Sequence, residues 1–164
     1  MDKIEELLKN PQTDLQKQAL TDKSYKKTPN NHDCKINFEL ATYGDAILKC
    51  ALCKIYFERE NKDNFGFKGK LTEWKKQYES DEVLVKFIAR HYDILNFLNF
   101  DSGDTKKPQD YKYEDKNAKR RYKYIATAME ACIAAIYIES NENGENEVIE
   151  IVKQWIKLID ESKS

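Results

Sequence analysis

The chain has 164 residues, enough for one domain whose core needs no disulfide or metal staple. Its 28 basic and 29 acidic residues leave a net charge of -1, which excludes a uniformly polycationic nucleic-acid binder and confines any anion-binding surface to local clusters. No basic and apolar leader opens the sequence, and no apolar run reaches the roughly 20 residues of a membrane span. A soluble cytoplasmic protein with a single domain over residues 1–160 is therefore expected.

Glycine (five) and proline (three) are scarce and fall mostly between apolar-periodic stretches, which predicts an all-α fold. A first short helix is predicted over residues 2–9, stopped near Pro11. A second involves Leu15, Ala19 and Leu20 and ends near Ser24 and Tyr25. Residues 26–36 read as polar loop. A long helix follows from Asn37, its expected N-cap, to Arg59. Residues 61–69 are rich in turn formers. Leu71 to Tyr78 read as another helix. Ser80 is the expected N-cap of the next, with acids in its first turn where the helix dipole favours them. A lysine-rich loop spans residues 101–118. A helix over about 118–140 and a last amphipathic helix over about 145–160 complete the chain.

The cysteines are Cys34, Cys50, Cys53 and Cys132. Cys50 and Cys53 form a Cys-x-x-Cys pair, but there is no second pair and only His32 and His91 could join them, short of a dedicated zinc site. Both fall inside the long helix and read as reduced, buried packing thiols, with metal or redox chemistry as the lesser alternative.

Two of the predicted helices are apolar on nearly every face, which is typical of central helices. Each contains a carboxylate in apolar surroundings: Asp45 in the first, Glu130 in the second. Only Lys49, four residues after Asp45, offers a basic partner within a helical turn. Gly44, just before Asp45, costs a helix about 1 kcal/mol against alanine, so a close backbone approach is expected there. Two carboxylates brought together repel unless a proton or cation sits between them, and magnesium suits oxygen ligands. The alternative is that each acid faces solvent or pairs with a lysine; spacing alone does not bring the two helices together.

These residues resemble the ribonuclease III endonuclease domain over roughly Leu7 to Trp155. The stretch 9–25, KNPQTDLQKQALTDKSY, is similar to the family's opening. NFELATYGDAIL (37–48) resembles the signature usually written NERLEFLGDAVL. KLTEWKKQYESDEVLVKFIA (70–89) is similar to the middle helices, and ATAMEACIAAIYIE (126–139) resembles the closing motif ADALEAVIGAIYLD. In the usual enzymes four acids gather magnesium. Here Asp45 and Glu130 match two of them. Ala41 stands where a signature glutamate is usual and Thr127 where a closing-motif aspartate is usual. Phe38 replaces an earlier glutamate, and Lys68 an acid before Gly69. The compact branch called Mini-ribonuclease III shows the same alanine and threonine, lacks a double-stranded-RNA-binding domain and still cleaves structured RNA. This chain, ending near Ser164, is likewise expected to have no such domain.

The resemblance implies an all-helical homodimer paired through the signature helix, with Thr42, beside Tyr43, at the dimer contact where the family usually has phenylalanine. It implies metal-assisted hydrolysis of double-stranded or folded RNA, such as a ribosomal RNA precursor, leaving 5′-phosphate and 3′-hydroxyl ends. Asp45, Glu130 and Thr127 are the expected ligands of Mg2+, with Mn2+ able to substitute. Residues 105–123 hold eight basic and three acidic residues with Tyr111, Tyr113 and Tyr122 interleaved. Lys119, Arg120, Arg121 and Lys123, directly before the Glu130 helix, are the expected RNA contacts, since duplex RNA is held through phosphates and 2′-hydroxyls. The same cluster also reads as an ordinary solvated loop. A second functional class stays open: a family member that no longer cuts and instead binds RNA or a ribosomal particle.

Overall fold

The computed structural model describes residues 2–60, 69–114 and 117–164. Lys68 and all of the turn-rich stretch except Gly69 lie outside the described residues. Among those described, the fold is all-helical, and strand-like pairing is confined to one isolated bridge between Thr21 and Asn99.

Helix α1 (Lys3–Lys9) starts at Asp2, whose carboxylate accepts a hydrogen bond from the Ile4 amide at 2.8 Å, and it buries Ile4, Leu7 and Leu8. Helix α2 (Asp14–Ala19) is capped by the Thr13 hydroxyl, which accepts from the Gln16 amide. It stops at Ala19 rather than near Tyr25. The Leu20 carbonyl accepts from the Asn99 amide and the Asp22 amide donates to the Asn99 carbonyl, so the bridge takes backbone groups that a longer helix would use. A separate 3-10 turn, Lys23–Lys27, then begins on the Asp22 side chain.

Helix α3 (Phe38–Arg59) is preceded by Asn37, but the Asn37 side chain makes no capping bond. Its amide nitrogen instead donates to the Ala19 carbonyl at 3.2 Å, and its backbone N–H donates to the Thr21 carbonyl. The buried asparagine thus ties the start of α3 to the end of α2. Helix α4 (Lys70–Glu79) stacks Trp74 on Tyr56 of α3. The Ser80 hydroxyl accepts from the Val83 amide, as its N-cap role predicts, to start α5 (Asp81–Val83), which continues as a π-helical turn over Leu84–Ala89. Helix α6 (Ala118–Glu139) runs through the core, and α7 (Gly144–Lys163) buries one face, with Trp155 and Ile156 at its centre.

The most extensive contact in the molecule is between α3 and α6. Gly44 is why they can approach so closely. A Cβ at this position would lie 1.8 Å from the Glu130 backbone carbonyl oxygen. A second, solvent-facing stripe of α3 carries Tyr43, Ala46 and Cys50, all exposed, which corrects the expectation of a buried thiol pair: Cys50 is exposed and Cys53 only half-buried, while Cys132 in α6 is fully buried. Residues 43, 46 and 50 share one helical face, which borders Tyr137 near the end of α6.

Gly44→Ala forces the backbones of α3 and α6 apart. The variant should lose about 2–3 kcal/mol of unfolding free energy despite alanine's better helix propensity. Urea denaturation measures this, and an unchanged midpoint would contradict the close-approach account.

Candidate active site

The Gly44 contact positions the two carboxylates. Asp45 follows the glycine on α3, and Glu130 is the residue whose backbone the glycine touches. Both line one open cavity of about 650 Å³, together with Ala41 and Thr127. Helices α4 and α5 close its far side through Glu79, Asp81 and Glu82, and Tyr113 and the lysines of α6 lie at its rim. The structure thus brings together Asp45, Glu130, Thr127, Lys119 and Lys123. Arg120 and Arg121 are exposed on α6 outside this lining.

Glu130 is only 5% exposed, yet it is a carboxylic acid. Burial pushes its pKa up to about 7, and the negative charges of Asp45 and Asp81 add to the rise, while Lys123 and Lys49 oppose it. Two ammonium groups stand at the carboxylates. Lys49 donates to Asp45 at 2.6 Å, and this hydrogen bond holds the lysine above its ordinary range. Lys123 lies 3.0 Å from Asp81 and 3.8 Å from Glu130. Burial lowers the Lys123 pKa, but the charges of Glu130 and Asp81 outweigh it and raise it overall.

Asp81 is the site residue that sequence reasoning missed. It was legible only as a favourable acid in the first turn of α5. The available signal was the Ser80 cap, which fixes that turn, but nothing local places the turn against α6.

The lysine-rich segment is not a loose loop. The Tyr124 hydroxyl donates to the Pro108 carbonyl, and the Tyr122 hydroxyl to Asp110. Tyr111 accepts from the Leu95 amide and donates to Asp93, each at 3.0 Å. Lys107 lies over the Tyr124 ring and pairs with the buried Asp22 at 2.9 Å. Tyr111 and Tyr122 therefore anchor the segment through their hydroxyls. Tyr113, half-buried at the cavity, adopts a left-handed backbone with φ of 45°, uncommon for a bulky residue.

Thr42 and Tyr43 are exposed on α3. The Thr42 hydroxyl donates to the Phe38 carbonyl, and Tyr43 meets Tyr137 edge to face. Phe38 is 63% exposed on the same helix.

Among the described residues, no group of three or more His, Cys, Asp or Glu side chains is gathered closely enough to hold a metal ion. The expected ligands Asp45, Glu130 and Thr127 offer two carboxylates and a hydroxyl at this cavity. This all-oxygen set fits a hard divalent cation that keeps several waters, and the buried Glu130 is a carboxylate whose ionisation a cation would favour.

Residues 39–141 match the family model described as the Ribonuclease III domain. Ribonuclease 3 of Actinobacillus pleuropneumoniae serotype 5b (strain L20) is 27% identical over 128 residues, covering 78% of this chain and 50% of the relative. The chain thus spans about half the length of the curated relative it matches. Two structures of the nuclease domain of ribonuclease III from Campylobacter jejuni share the fold. One is described for structural flexibility in a region involved in its dimer formation; it has a TM-score of 0.63 at 23% identity and covers 98% of this chain and 96% of its own. The other, at 2.2 Å resolution, has a TM-score of 0.63 at 24% identity and covers 99% of this chain and 95% of its own.

The raised pKa of Glu130 means that the folded state binds a proton more tightly than the unfolded chain. Metal-free stability should therefore fall as pH rises from about 4.5, the ordinary carboxyl value, through about 7, and then level off. Glu130→Gln removes this cost, which amounts to roughly 3 kcal/mol at full ionisation. Denaturation in chelator should give near-equal stabilities at low pH and a more stable Gln variant at pH 8. A gap that does not vary with pH would show that Glu130 is not the group responsible.

Proposed function

The chain belongs to the ribonuclease III domain family, and on that footing we propose that it is a metal-dependent endoribonuclease acting on double-stranded or folded RNA. The observation that carries this reading is the pairing of Asp45 and Glu130 in one cavity across the α3–α6 seam. Residues 1–160 act as a single nuclease-type domain, and the described residues include no helix long and apolar enough to cross a membrane.

Asp45, Glu130 and Thr127 would hold magnesium, or manganese in its place. When bound, the ion supplies positive charge at the phosphoryl oxygen and acidifies water for hydrolysis. Glu130 contributes a rigid, desolvated carboxylate, because the Gly44 contact fixes its backbone and α6 is buried around it. Lys119 and Lys123 at the cavity, with Arg120 and Arg121 beyond it, hold the RNA phosphates. The products carry 5′-phosphate and 3′-hydroxyl ends. A precursor of ribosomal RNA, folded into long stems, is a suitable substrate.

The active form is a homodimer. The exposed Phe38, Thr42 and Tyr43 of α3 form its contact, beside a shallow groove of about 230 Å³ between Tyr43, Cys50 and Tyr137. The dimer-forming region described for the Campylobacter jejuni domain supports an assembly of this kind.

A second reading rests on Ala41 and Thr127. With neither position acidic and a lysine already beside each carboxylate, the site also suits a module that binds RNA without cutting it. The Mini-ribonuclease III resemblance at those two positions favours cutting.

A long duplex RNA and a structured ribosomal precursor should both be tested with magnesium and with manganese. Metal-dependent cleavage rising into the millimolar range is expected, with a loss of at least a hundredfold in Asp45→Asn and Glu130→Gln. Duplex binding without cleavage would support the second reading instead. Arg120→Ala with Arg121→Ala should weaken duplex binding and lower the salt slope by about 2. An unchanged slope would remove both arginines from the footprint.

A further inference from the structure

We propose that Lys123 is a tethered cation of the active site, anchored by Asp81, that shares Glu130 with the divalent ion and so sets how much of that ion the site requires. This rests on the metal-site reading above and gives Lys123 and Asp81, both of which line the cavity, a role toward the ion.

The geometry is specific. Lys123 projects from α6 two helical turns before Glu130, and its ammonium reaches across to α5. It lies 3.0 Å from the Asp81 carboxylate and 3.8 Å from that of Glu130. The Asp81 side chain is only 14% exposed and that of Glu130 only 6%. Two carboxylates so poorly solvated need a positive charge between them, and Lys123 supplies it from a side chain that is itself half-exposed. A mobile divalent ion is therefore not needed to keep this side of the cavity folded.

The unequal distances define the role of Asp81. Lys123 already favours Asp81, and when a divalent ion arrives at Glu130 the ammonium has an acid to remain with. Without Asp81, Glu130 becomes its nearest partner and the lysine competes directly for the ligand. Lys49 performs a related task on Asp45 but, among the described residues, bridges no second acid at ion-pair distance. Ala41 and Thr127 add no charge to the cavity, so each lysine contact weighs more on the net charge that an incoming cation meets.

The test is Mn2+ binding, measured by calorimetry and by the paramagnetic resonance signal of free Mn2+, on the full chain without RNA. Lys123→Met and Lys123→Gln should each raise Mn2+ affinity roughly tenfold, as expected for removing a unit charge within a few ångströms of the ligand. Lys123→Arg, which keeps the charge and the reach, should stay near the unsubstituted affinity. Lys76→Met removes a lysine that also lines the cavity and should change affinity less than twofold. Asp81→Asn should weaken binding, and this loss should shrink when Lys123→Met is present, because no lysine is left to move onto Glu130.

Equal gains from Lys76→Met and Lys123→Met would reduce the effect to net charge and overturn the proposal. So would an unchanged affinity in both uncharged Lys123 variants while Glu130→Gln abolishes binding, an outcome that leaves the metal site standing. Absence of Mn2+ binding in the unsubstituted chain and in both variants, all folded by circular dichroism, would overturn the metal-site reading and this proposal together.

Discussion

The contact between the Gly44 backbone and the Glu130 carbonyl is the constraint on which the rest of the molecule depends. Two helices that touch backbone to backbone at one residue cannot slide or rotate past each other at that point. The fixed crossing seals the apolar sides of α3 and α6 together around Leu48, Ile133 and Met129. It also determines what lies at the edge of the seal. The residue after the glycine and the residue it touches are both acids, so the geometry that closes the core also opens the cavity with a carboxylate on each wall.

This arrangement has an electrostatic cost that the surroundings offset. Glu130 is nearly as buried as its apolar neighbours on α6, and an unpartnered carboxylate there would be expensive to ionise. Neutralisation comes from protonation, from Lys123, or from a bound cation. The first two are available to the chain without a ligand, which is how a polar group persists in the buried stretch of α6. Asp45 is in a milder position, partly exposed and held by a lysine one helical turn along.

The parts of this architecture that were readable in the sequence are those encoded locally. The periodicity of α3 and α6, the Ser80 cap and the unusual placement of Gly44 within a helix all depend on residues a few positions apart. Asp45 and Glu130 stood out because they interrupt apolar helices. What escaped reading depends on partners distant in the chain. The early end of α2 is caused by Asn99. Asn37 has the right residue type for an N-cap, but the Ala19 carbonyl claims its side chain. Tyr111 and Tyr122 read only as tyrosines interleaved in a basic stretch, and nothing local shows that Asp93 and Asp110 hold their hydroxyls. Asp81 is an ordinary first-turn acid until α5 is laid beside α6. The exposed Cys50 was misjudged for a related reason, since a helix that is apolar all round does not reveal which face its neighbours cover.

The separation of the two carboxylates along the chain has a kinetic consequence. About half the sequence lies between Asp45 and Glu130, and no local turn or hairpin brings them near each other. Their meeting requires closure of a long loop, whose entropy is regained only when the whole α3–α6 surface docks. A nascent or partly unfolded chain can hold both helices and still possess no cavity. Such a chain exposes single, well-hydrated acids with no special affinity for a cation or a phosphate backbone. Completion of the fold and appearance of the site are therefore one event, and the paired carboxylates of the cavity exist only in the fully assembled chain.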